Sequence, residues 1–102
     1  MAAYVIAEVQ VLDETQVQRY RALAAASIAV HGGRYVVRAA EPEVPEGDWR
    51  AGQRVVVVEF PTMERLRQWY SSPEYGEALA VGQQAMTRRL LFVDGVAADA
   101  QS

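Results

Sequence analysis

The sequence predicts an α+β fold whose elements alternate as strand, helix, strand, strand, helix, strand, and three observations predict it. Segments 3–11, 34–39, 53–60 and 88–94 carry the apolar alternation or Val-rich runs of strands. The segments that follow Asp13, Thr62 and Ser72 carry apolar residues at roughly the 3.6-residue helical spacing. Gly, Pro and cap-forming residues separate the two kinds of segment. A chain of 102 residues, 51% of them apolar, has material for one core of this kind and not for two.

In AYVIAEVQV, Ala3, Val5, Ala7, Val9 and Val11 make one wholly apolar face, and Tyr4, Ile6, Glu8 and Gln10 a mixed one. Asp13 with Gln16 three residues on reads as an N-cap, opening a helix to about Val30 with Val17, Tyr20, Leu23, Ala24, Ser27, Ile28 and His31 on one side. Gly32 and Gly33 stop it. RYVVRA is a short strand, and the Pro- and acid-rich segment 40–52 a long connection in which Trp49 is expected to pack against the body or a second subunit. QRVVVVEF reads as a central strand buried on both faces. Thr62 caps a helix with Met63, Leu66, Trp69 and Tyr70 facing inward. Ser72 with Pro73 caps another, bearing Tyr75, Ala78, Leu79, Gly82, Ala85 and Met86. RRLLFVD is the last strand. Residues 1–96 form a single domain on this reading, and 97–102 a flexible tail.

Composition narrows the function classes. Ten basic residues, all Arg, against thirteen acidic ones leave a net charge of −3, which supplies no field for nucleic acid. With no cysteine and one histidine, thiolate chemistry and the usual zinc or two-histidine iron sites cannot form within one chain, so neither metal nor cofactor is expected. No leader pattern or long apolar run is present, so no membrane contact is expected and a cytoplasmic location is the default.

This element order is ferredoxin-like: βαββαβ, a four-stranded antiparallel sheet in the order four, one, three, two, with strands one and three expected parallel at the centre. Both helical stripes cover one face of the sheet. The other face would expose apolar side chains, so a second copy is expected to cover it and the protein to be a homodimer.

The chain resembles the domain of unknown function 1330 family, within the dimeric α+β barrel superfamily. The resemblance rests on AYVIAEVQV, YRALAAASIAVHGGRYVVR, GDWR, VVVEFPTMERLRQWYSSPEY and RRLLFVDG, in that order and spacing, and covers residues 2–96. It implies a ferredoxin-like protomer whose sheet faces another to form a dimeric barrel, with a cleft between each sheet and its surroundings. The superfamily includes cofactor-independent monooxygenases, muconolactone isomerases, polyketide cyclases, chlorite dismutases and haem-degrading proteins. The haem branches are disfavoured, because the latter half of this chain has no histidine. The family has no settled common reaction.

With strands one and three parallel, Glu8, His31, Arg34, Glu59, Arg88 and Arg89 would gather at one end of the sheet. In the functional reading Glu8 or Glu59 accepts a proton, and Arg34 or Arg89 holds a carboxylate or enolate oxygen. Periodicity leaves open which of Arg88 and Arg89 faces the cleft; the resemblance favours Arg89. His31 is either an acid or base or a helix terminus on the C-terminal dipole. Tyr4 and Trp49 are lining candidates, whereas Tyr20, Trp69 and Tyr75 fit helical stripes and read as core. Two functions follow: a homodimer binding a small organic anion in a cleft of the barrel, with cofactor-free proton transfer, isomerisation or cyclisation, or a noncatalytic interaction module whose charges form an ion-pair network at the seam.

Overall fold

A computed structural model describes residues 1–96 of the chain; the expected tail at 97–102 lies outside the described residues. The elements run β1 (Ala3–Val11), α1 (Glu14–Val30), β2 (Arg34–Ala40), β3 (Arg54–Phe60), α2 (Met63–Tyr70), α3 (Pro73–Ala85) and β4 (Met86–Asp94). The three helix starts follow the cap residues in the sequence: the side chains of Asp13, Thr62 and Ser72 accept from the backbone N–H groups of Gln16, Arg65 and Tyr75. At the end of α1, Gly33 is the only residue type that fits, since a Cβ there would stand 2.7 Å from the Phe60 ring and 2.8 Å from Ile28.

The sheet has the order β2-β3-β1-β4, and all three of its strand pairings are antiparallel. This corrects the expectation that strands one and three run parallel. The crossover through α1 makes β1 and β2 point the same way. β3 returns from β2 and enters between them, so it runs opposite to both. Glu8 consequently faces Val55 at one end of the β1–β3 ladder, and Glu59 faces Tyr4 at the other.

A second correction concerns closure. β2 and β4 are the two edges of the order and do not pair with each other, so the sheet is open and not closed into a barrel. The dimeric α+β barrel implied by the family resemblance is thereby overturned, while the ferredoxin-like α+β topology stands.

The Cα envelope measures 43 × 38 × 15 Å, a thickness that fits one layer of helices on one sheet. The core lies between those layers. Ala3, Val5, Val58 and Phe60 from the sheet meet Ala24 and Ile28 of α1, Leu66 and Trp69 of α2, and Tyr75 and Ala78 of α3. On the far face stand Tyr4, Ile6 and Glu8 of β1, Val55, Val57 and Glu59 of β3, and Arg89, Leu91 and Val93 of β4. Val55 and Val57 are only half-buried and Leu91 is 44% exposed, so the four-valine run is covered on one side and not on both. Tyr70, expected to face inward, is instead exposed and lies edge-on to Phe92, with ring centroids 5.3 Å apart.

Candidate functional site

Apart from Arg88, the site residues singled out from sequence fall into three separate places. At the start of β1, the Tyr4 hydroxyl donates to Glu59 Oε2 at 2.9 Å, and Arg34 Nε donates to Glu59 Oε1 at 2.7 Å. The Arg34 hydrogen bond, reinforced by the one from Tyr4, holds the Glu59 carboxyl below the usual carboxylate value; the bond to Glu59 in turn raises the Tyr4 phenol. At the opposite end of the same face, Arg89 Nη2 stands 2.8 Å from both Glu8 oxygens, because the ladder places the two residues directly across from each other. Trp49 joins this second group along an open groove with Arg50 and Gln53; its indole N–H reaches the Gln53 carbonyl at 3.4 Å and its ring is half-buried.

His31 belongs to neither group. It caps α1, with Nδ1 2.9 Å from the Ser27 carbonyl and Nε2 3.7 Å from Glu74. Glu8, Glu59 and Arg89 therefore do not share one polar region: strand direction separates the carboxylates. Among the described residues, no three His, Cys, Asp or Glu side chains converge as a metal site would need, and no helix is long and apolar enough to cross a membrane.

The concave site lies on the other side of the sheet. A cavity of about 80 Å³ sits between β1, β3 and β4 and the helices, walled by Val5, Ala7, Val9, Val17, Ala24, Ile28, Val56, Val58 and Leu90. Its aromatic and charged lining comprises Tyr20, Tyr35, Trp69 and Tyr75 with Arg21, Arg38, Arg54 and Arg88. Arg88 enters it because β4 alternates: Arg89 points to the open face with Glu8, so its neighbour points to the helices. Arg38 enters through a break in alternation, since the β2–β3 register slips between Tyr35 and Val37 and again before Ala40, with Ala39 at φ 56°. The Arg38 guanidinium lies 4.3 Å from the centre of the Tyr35 ring.

Inside, Arg88 Nη1 donates to the Tyr20 hydroxyl at 2.7 Å, and that oxygen is 3.0 Å from the Tyr75 hydroxyl. Burial, then the neighbouring Tyr20, pushes the Tyr75 phenol well above its ordinary value and keeps it protonated. Trp69 donates to Ser27 Oγ at 2.9 Å, which fixes the indole on the wall.

None of Tyr4, Glu8, His31, Arg34, Glu59, Trp49 and Arg89 lines this cavity. Sequence reasoning passed over Tyr20 and Tyr75 because they fit apolar stripes. The available signal was their hydroxyls, which need partners when buried, together with a strand arginine at matching height.

Residues 2–96 match the family described as Domain of unknown function (DUF1330). The chain belongs to this family. No curated protein matches the sequence. Among solved structures, the DUF1330 chain is similar to the RPA0582 protein of unknown function from Rhodopseudomonas palustris, at 16% identity and TM-score 0.73, covering 94% of this chain and 83% of that one. It is also similar to SnoaB, a cofactor-independent oxygenase from Streptomyces nogalater, at 13% identity and TM-score 0.67 over 98% of both chains. A third is Rv0793 from Mycobacterium tuberculosis, at 18% identity and TM-score 0.64 over 98% of this chain and 100% of that one. At such identities the likeness is one of fold.

Proposed function

We propose that this DUF1330 protein binds a small organic anion in the cavity between its sheet and its helices. One observation carries the reading: Arg21, Arg38, Arg54 and Arg88 line a cavity whose other walls are apolar or aromatic, and none of the four has a carboxylate partner among the described residues. A half-buried guanidinium such as Arg88 is costly without a counter-charge. The Tyr20 hydroxyl and the Tyr20 and Tyr75 ring faces, 5.0 and 5.9 Å from it, offset part of that cost and leave the positive charge unneutralised. A bound oxyanion supplies what is missing.

Size sets the class. About 80 Å³ is roughly half the ~150 Å³ cavity that holds benzene, so acetate or propionate fits directly, and a five-carbon acid or a ring enters when the exposed side chains of Arg38 and Arg54 swing aside. Chemistry follows from the same lining. Glu8, Glu59 and His31 stand elsewhere, so among the described residues the cavity offers donors and no carboxylate or imidazole base. Cofactor-free conversions suited to it are those of a ligand that arrives ionised and whose charged oxygen the arginine stabilises. That a cofactor-independent oxygenase shares the fold supports this at the level of architecture.

The open face of the sheet is read as the contact with a second copy. Exposed Leu91 and Val93 with half-buried Ile6, Val55 and Val57 form an apolar band between the Glu8–Arg89 and Glu59–Arg34 pairs, so a two-fold related copy meets apolar with apolar. Light scattering at micromolar concentration tests it: twice 11.3 kDa is expected, and the single-chain mass would overturn it.

For the anion, the test is titration with pentanoate and with benzoate, followed by backbone amide NMR. Saturable shifts are expected at cavity residues such as Ala24, Val56 and Leu90. Saturation by neither acid, or shifts confined to the Trp49 groove, would defeat the reading and leave a noncatalytic interaction module.

A further inference from the structure

The hydrogen bonds around Tyr20 and Tyr75 leave one phenolic proton over. Arg88 only donates, so its 2.7 Å contact uses a lone pair of the Tyr20 oxygen and no phenolic proton. The 3.0 Å contact between the two hydroxyls uses one proton, whichever phenol supplies it. Two phenols carry two, and neither hydroxyl has a further protein acceptor among the described residues. Both hydroxyl-bearing side chains line the cavity. If Tyr20 donates to Tyr75, the remaining proton is on Tyr75; if the direction reverses, it is on Tyr20, whose oxygen then accepts twice.

We propose that the Tyr20–Tyr75 pair presents this proton to an acceptor oxygen of the bound molecule, so that the ligand class is an oxo acid, with a carboxylate for the arginines and a carbonyl oxygen for the phenols. This rests on the cavity being the anion site. The hydrogen bond from Arg88 withdraws charge from the Tyr20 oxygen and strengthens the donor, which favours a basic oxygen over a methylene at that point. The raised Tyr75 phenol remains a donor throughout the neutral range.

The test compares 4-oxopentanoate with pentanoate, which differ by a carbonyl in place of a methylene. The parent protein is expected to bind the oxo acid about fivefold to tenfold more tightly, the worth of one hydrogen bond. Tyr20→Phe and Tyr75→Phe each leave one free phenolic proton and retain part of the preference; the double variant loses it and binds the two acids alike, at whatever common affinity Arg88 retains without its Tyr20 acceptor. Tyrosine ring-carbon NMR of the parent gives a reading that needs no variant: the Cζ signals of Tyr20 and Tyr75, next to the hydroxyls, move further on adding 4-oxopentanoate than on adding pentanoate. Equal binding of the two acids with equal tyrosine shifts overturns the proposal and leaves the anion site standing. Binding of neither acid overturns both.

Discussion

The Tyr20 ring of α1 occupies the space that Gly82 leaves on α3: a Cβ at position 82 would stand 2.9 Å from Tyr20 Cδ1 and 3.3 Å from Arg88 Nη1. A glycine inside a helix costs about 1 kcal/mol relative to alanine. Here that residue sets how closely the two helices approach, and through them where the phenol pair and the guanidinium sit. The edge-on arrangement of Tyr20 and Tyr75, with ring centroids 6.4 Å apart, follows from this approach.

Gly82→Ala is therefore expected to destabilise the protein. Overpacking costs about 1–3 kcal/mol, and the better helix former returns at most about 1. Urea unfolding measures the net loss, and anion affinity should fall with it because the ring carries Arg88's acceptor. A variant more stable than its parent would contradict the close contact.

Arg88→Met and Arg89→Met should separate cleanly. Arg88 lines the cavity, so its loss abolishes pentanoate binding while stability changes little or rises, a half-buried unpaired charge having been removed. Arg89, with its side chain 67% exposed, pairs with Glu8 on the opposite face. Its loss costs about 1 kcal/mol or less and leaves binding intact. The reverse pattern would move the site to the open face.

These two arginines also mark how far the sequence could be read. Strand and helix positions were legible because caps and alternation are local: Asp13, Thr62 and Ser72 cap where they were expected to. Strand direction is not local, and one wrong direction placed Glu8 beside Glu59 when the ladder holds them at opposite ends. Alternation fixes that Arg88 and Arg89 point opposite ways, but not which meets the helices. That depends on the register against β1, where Glu8 meets Arg89. Tyr20 and Tyr75 were hidden differently: a tyrosine in an apolar stripe looks like core until its hydroxyl is traced to a partner on a distant strand. Arg38 needed the β2 irregularity, which no residue pattern in RYVVRAA announces.

Ser27→Ala is expected to cost about 1–3 kcal/mol. Ser27 is buried in α1, donates to the Ala24 carbonyl at 2.8 Å and accepts from the Trp69 indole at 2.9 Å. The variant strands a buried indole N–H whose hydrogen-bond partner among the described residues is Ser27 Oγ. Trp69→Phe in the same background removes the stranded donor, so the double variant should lose less than the two single losses added together. A double-mutant cycle with no coupling would show that the indole finds another partner.

The acid limb of stability is expected to carry the signature of Glu59. Arg34 first, and Tyr4 second, hold its carboxyl below the ordinary value of 4.5, so the ionised form is favoured by folding. That contribution is present at neutral pH, and it fades as pH falls below the ordinary value and through the depressed one. Glu59→Gln lacks it at every pH. The midpoint gap between parent and variant should therefore be widest near neutrality and close as pH falls through the depressed value. Carboxyl-carbon NMR reads the causes separately: the Glu59 midpoint should rise toward 4.5 in Tyr4→Phe and rise further in Arg34→Met, in the order of the two hydrogen bonds. A parent Glu59 titrating at or above 4.5 would mean that the Arg34 contact, 2.7 Å long but with the arginine 71% exposed, is too well solvated to bias the proton.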